Sequence, residues 1–132
     1  MKTTAIILRA AQLTAHNAHN MARGATFFED HEFFGELYPA YEAEYDAVVE
    51  RMLGLEQEVD LIAINRQAVD ISSANKPADD SGWLSALLAM EKRICAVAEQ
   101  DARDASFGSN NFLQGIADSA EKRIYQFVRR RK

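Results

Sequence analysis

The sequence holds one cysteine, Cys95, in 132 residues. An intramolecular disulfide is therefore excluded, and such sparing use is what a reducing compartment shows. Cys95 sits among Ile94, Val97 and Ala98, which suits a buried, inert thiol. Long apolar runs are also missing: none approaches the ~18 residues of a membrane span. The N-terminal MKTTAIILRAAQL has the outline of a signal peptide, but Arg9 breaks its apolar run early and polar residues follow. A soluble cytoplasmic protein is expected, with no membrane partner. A basic excess is missing too. Net charge is −5, so the surface as a whole is not built to grip nucleic acid or anionic lipid, and any polyanion must bind a local patch. Strand-like alternation and solenoid-period repeats are absent.

What is present reads as one all-α domain over residues 1–132. Apolar residues make up 48% and charged residues 27%, ordinary for a globular protein. Ile6, Ile7, Ala10, Leu13, Thr14, Ala18 and Met21 predict a helix over 4–23, with Gly24 as its stop. A second helix is predicted from about Thr26 to Leu55, with Thr26 and Glu29 as a capping box and Pro39 as a kink. Its inward positions are Phe27, Phe34, Leu37, Tyr41, Tyr45, Val48, Val49, Met52 and Leu55. Residues 56–80 form a connector holding a short helix, then a loop, SSANKPADDSG. A third long helix follows from Ser81 or Gly82 to about Arg103, FGSNN (107–111) reads as a turn, and the last helix spans about Asn111 to Val128. Four long helices with the longest connector between the second and third fit a four-helix bundle with one crossover.

The stretch from His16 to Glu50 stands out. It contains all three histidines, His16, His19 and His31, and residues 29–58 carry ten of the twenty acids with Arg51 as the one base among them. Imidazole with carboxylate suits iron, zinc or manganese. A hairpin about Gly24 sets His19 and His31 side by side. Asp46 and Glu50, four apart, project from one helix face. The two pairs cannot meet within one chain, because fifteen residues of helix separate His31 from Asp46, roughly 22 Å. Ligands of one metal lie about 2 Å from it. If the pairs share a metal, the second helix lies antiparallel to its copy, with the two-fold axis near Tyr38 and Pro39 and two equivalent sites per dimer. Taken alone, an acidic helix face is ordinarily a solvated surface and a lone histidine ordinarily structural; the clustering of both favours a metal site.

HNMARGATFFEDH resembles the His-x-x-x-x-Gly-x-x-Phe-x-x-x-His signature of the Dps-type mini-ferritins, the DNA-binding proteins from starved cells. HEFFGELYPAYEAEYDAVVERMLGL resembles that family's second helix, and EKRIYQF matches its last helix more loosely. The resemblance implies a ferritin-like bundle in a cage of twelve chains built from two-fold dimers. It implies Fe(II) oxidation by hydrogen peroxide or dioxygen at inter-subunit sites, and storage of ferric mineral. His19, His31, Asp46 and Glu50 would be the iron ligands, with His16, one turn before His19, auxiliary. Glu32 and Glu36 would seed mineral, and Asp101 and Asp104 would line pores. Many members carry tryptophan after the first histidine; Asn20 stands there, and Trp83 is the chain's single tryptophan.

A basic tail closes the chain: Arg129, Arg130, Arg131 and Lys132. Cations at a helix C-terminus are favoured by its dipole. Four in a row also make a phosphate-binding tail, sequence-blind and salt-sensitive, which would place the particle on the nucleoid. Two other readings stay open. One is a non-enzymatic DNA-binding or structural cage whose site is vestigial or holds zinc. The other is a dinuclear carboxylate oxidase with its site inside one bundle, disfavoured because no Glu-x-x-His occurs.

Overall fold

The computed structural model describes residues 1–130, and no strand occurs among them. The helices are α1 Lys2–Met21, α2 Phe27–Gly54, α3 Leu61–Ala74, α4 Trp83–Arg103 and α5 Phe107–Arg130. None is long and apolar enough to cross a membrane.

The helical apolar period of α1 buries Ile6, Ile7, Ala10, Ala11, Thr14, Ala15 and Ala18 along one side. Its N-terminus takes its cap from far along the chain. The Asp101 carboxylate, near the end of α4, accepts from the Thr4 amide at 3.0 Å and the Thr4 hydroxyl at 2.7 Å, and lies 3.6 Å from the terminal ammonium. An orphan helix donor is thereby satisfied, a negative charge meets the positive end of the dipole, and α1 is held antiparallel to α4. Gly24, at φ +88°, makes the turn into α2, a conformation that a side chain disfavours.

Side chains join α2 to α5 in a series. Arg51 lies over the Phe112 ring, Arg123 bonds Glu44, Phe33 meets Phe127 edge-on, and Arg130 bonds Asp30 at 2.5 Å. Numbers fall on α2 as they rise on α5, so these two helices are antiparallel. With α1–α2 and α4–α5 as adjacent hairpins, α2 and α4 run parallel, and the connector crosses the length of the bundle. Leu37, Tyr41, Val48, Leu87, Met90, Ile94, Leu113 and Phe127 fill the centre. Burying each of the larger apolar side chains contributes about 1.5–3 kcal/mol. Within the connector, α3 packs on α1 through Ile64 and Ala68 and a buried Thr14–Ser72 hydroxyl pair at 2.8 Å.

Three sequence expectations are corrected. Thr26 and Glu29 form no capping box: the Thr26 hydroxyl donates to Asp30 instead, at 2.7 Å. FGSNN is not a turn but the first turn of α5. Ser106 accepts from the Ser109 amide at 3.4 Å and the Asn110 side chain donates to the Ala102 carbonyl at 2.9 Å, so capping outweighs the weak helix propensity of glycine and asparagine. Met21 and Leu55, expected inside, are exposed because each lies at a helix end beyond the bundle's packed length. α2 continues through Pro39, which is exposed on its outer face.

Candidate metal centre

The α1–α2 hairpin brings the histidines together. The His19 and His31 rings stack with centroids 3.9 Å apart, and Phe27 stacks on the far side of His31 at 5.0 Å. His19 Nδ1 lies 2.8 Å from the His31 backbone carbonyl. A carbonyl only accepts, so Nδ1 carries the proton, and the neutral ring keeps its lone pair on Nε2 for a metal. Gly35 makes this geometry fit. A Cβ there would lie 3.0 Å from His19 Nδ1 and 3.1 Å from Cε1. His16 is exposed; its ring stacks on Tyr38 at 4.2 Å and is 6.5 Å from that of His19. Tyr38 also meets the His19 ring edge-on at 5.5 Å.

Asp46 and Glu50 lie one turn apart on the exposed face of α2, and neither is paired with a base of its own chain among the described residues. No three His, Cys, Asp or Glu residues gather as a metal-sized group among the described residues. One chain thus presents a nitrogen pair at the α1–α2 hairpin, His19 from α1 and His31 from α2, and an oxygen pair further along α2. Glu32 and Glu36 are exposed on the same helix. Asp101 is taken up in capping α1, whereas Asp104 is exposed at the end of α4. Arg129 is exposed, Arg130 is bonded to Asp30, and Arg131 and Lys132 lie outside the described residues. A groove of about 1140 Å³ runs between α1, α3 and the start of α4 past Asn20, Lys76 and Trp83, and none of the histidines lines it.

A polar network occupies the bundle centre. Glu91 on α4, 0% exposed, accepts from the Tyr41 hydroxyl and from Arg123 Nε at 2.6 Å, while Arg123 Nη1 donates to Glu44. Burial pushes the carboxyls of Glu91 and Glu44 above their ordinary range, against the pull of Arg123. Burial, then the charge of Glu91, pushes the Tyr41 phenol well up. One guanidinium serves two carboxylates, and Glu44 Oε2, Glu91 Oε2 and Arg123 Nη2 have no hydrogen-bond partner among the described residues. The cation that balances these acids is built into the chain, which argues against an iron pair at this place. Sequence reading passed over this network. Its signal was a charge on each apolar stripe: Glu91 between Leu87 and Ile94, and Arg123 between Ala120 and Phe127.

Searches of curated proteins and of solved structures each returned no match. A family model described as a ferritin-like domain matches residues 7–129, nearly the whole chain. Metal binding, iron storage and iron oxidation are functions found across that family. With this match and its crossover-linked helical bundle, the chain belongs to the ferritin-like family.

Proposed function

We propose that the protein is a ferroxidase and iron store of the Dps type. Two copies pack their α2 helices antiparallel about Pro39, and His19 and His31 of one copy face Asp46 and Glu50 of the other. The observation that carries this reading is the stacked His19–His31 pair with an open Nε2, set apart from an unpaired acid pair one turn long. The outer face of α2 supports it: Pro39 and Ala43 are small, exposed and fall near where two helices would cross closest.

In this reading Fe(II) is the substrate. The imidazoles and carboxylates hold it, and a donor set of both kinds tolerates the ferrous and the ferric ion. Hydrogen peroxide takes two electrons from two Fe(II), and the ferric product collects inside a cage of twelve chains, with Glu32 and Glu36 as seeds and Asp104 at the pores. Arg129, Arg131 and Lys132 would hold DNA phosphates, and Arg130 would contribute only on leaving Asp30.

Stopped-flow oxidation of Fe(II) by peroxide, with the assembly sized in solution, tests the reading. The wild type accelerates oxidation and elutes as a particle of about twelve chains built from two-fold dimers. His31→Ala and Asp46→Ala each assemble but oxidise iron no faster than buffer. Unchanged kinetics in both variants, or a monomeric wild type, contradict the proposal.

A further inference from the structure

We propose that Tyr41, Glu44 and Glu91 form a cation site at the centre of the bundle. Its permanent occupant is the guanidinium of Arg123, which keeps divalent metal out. The inference concerns a single chain, so it stands or falls apart from the two-copy ferroxidase reading.

Three helices build the site. Tyr41 and Glu44, three apart and so on one face, come from α2, Glu91 from α4 and Arg123 from α5. Glu91 is fully buried, and one of its carboxylate oxygens accepts from both Arg123 Nε, at 2.6 Å, and the Tyr41 hydroxyl. Arg123 Nη1 donates to Glu44, and the guanidinium carbon lies 4.9 Å from the centre of the Tyr41 ring. The planar fork thus joins acids on two helices while lying over an aromatic ring, a set of contacts that the single ammonium of a lysine does not match.

The donors suit more charge than Arg123 carries. Two carboxylates share one guanidinium, and the second oxygen of each, Glu44 Oε2 and Glu91 Oε2, is buried with no hydrogen-bond partner among the described residues. Carboxylate and phenol oxygens are hard donors that suit Mn(II), Mg(II) or Fe(II), and two carboxylates balance one such ion. Di-iron bundles of this fold use inward carboxylates together with histidines. Here no histidine joins the acids, since all three lie on the α1–α2 hairpin, and an arginine stands between them. Its charge is permanent, and its tether to α5 holds it at a high local concentration, so a free ion must displace a cation that cannot diffuse away. Where α2 meets α5, the Glu44 and Arg123 side chains are 16% and 13% exposed, which leaves an ion a short way in once the guanidinium is gone.

The test counts metal in the whole assembled protein. Mn(II) is titrated into wild type, Arg123→Met, Glu91→Gln and the Arg123→Met/Glu91→Gln double variant, with the free ion read by electron paramagnetic resonance. Each protein is also melted in Mn(II) and in EDTA. Methionine keeps the apolar stem of Arg123 and removes its charge. Arg123→Met binds one Mn(II) per chain more than wild type, melts several degrees below it in EDTA and regains most of that loss in Mn(II). The double variant loses both the extra ion and the recovery, whereas Glu91→Gln alone binds as much Mn(II) as wild type. Arg123→Ala, with room for a small organic cation, is also stabilised by millimolar methylguanidinium. A variant that folds only when Mn(II) is present supports the inference. A folded Arg123→Met that binds no more Mn(II) than wild type overturns it. So does an extra ion that persists in the double variant, or an Arg123 variant that stays unfolded with either cation added. A wild type that oxidises no iron overturns the ferroxidase reading and leaves the metal counts, and this inference, untouched.

Discussion

At His19 one hydrogen bond decides which ring nitrogen is open. The His31 carbonyl holds the proton on Nδ1, and Gly35 gives the ring room to stay there. Gly35→Ala therefore has a defined outcome. The new methyl, 3.0 Å from Nδ1, tilts the imidazole away from its carbonyl. The helix itself gains slightly in propensity, by about 1 kcal/mol at most. Iron oxidation is expected to fall several-fold with no loss of thermal stability, as stopped-flow and melting curves would show; equal oxidation rates would mean that the ring tolerates the methyl. A second outcome concerns Glu91. Burial raises its folded pKa above the ordinary 4.5, so the folded state holds its proton more tightly than the unfolded one. From about that value upward the unfolded chain releases the proton first, and stability falls as pH rises through the folded pKa. Glu91→Gln keeps a side chain that can bond Tyr41 and Arg123 but cannot ionise. Its melting temperature should decline less between roughly pH 5 and pH 8 than that of the wild type; a steeper decline would contradict the assignment. The spacing of the histidines about Gly24 was readable from sequence because hairpin geometry follows from counting. The Tyr38–His16 stack was not, because ring contacts depend on rotamers that no spacing rule fixes.

Each helix end shows what propensity can and cannot tell. α2 closes through paired bonds, Glu56 N–H to the Leu53 carbonyl and Gln57 N–H to the Met52 carbonyl, with Glu56 at φ 58°. That position favours glycine. Glu56→Gly should relieve about 1 kcal/mol of left-handed strain, part of it offset by glycine's greater freedom when unfolded, and so raise the melting temperature slightly. A lower one would show that the Glu56 side chain contributes more than its backbone costs. The start of α1 teaches the converse. No residue near Thr4 supplies a cap, and the acid that does so is Asp101, 97 positions away. Only the folded bundle brings them together, so no local spacing in the sequence points to the contact. The start of α5 went unread for a local reason: Gly108, Asn110 and Asn111 look like loop residues, and Ser106 as a cap outweighs them.

For the whole molecule the question is reach. Four long helices and a crossover were legible in the apolar period, because that period is what buries Leu87, Ile94, Leu113 and Phe127. The network of Tyr41, Glu44, Glu91 and Arg123 was not, since charges inside a bundle depend on partners from other helices. The same holds one level up for the acids on α2: what Asp46 and Glu50 face is decided by a second copy. The most direct measurement mixes two dead variants. One lacks the nitrogens, His19→Ala with His31→Ala; the other lacks the oxygens, Asp46→Ala with Glu50→Ala. If each site draws imidazoles from one chain and carboxylates from its two-fold mate, random co-assembly of equal amounts restores about a quarter of the sites. The account predicts that each variant alone oxidises no Fe(II) and that the co-assembled mixture regains about that fraction of wild-type activity. A mixture as inactive as its parts, in particles shown to contain both chains, would contradict it.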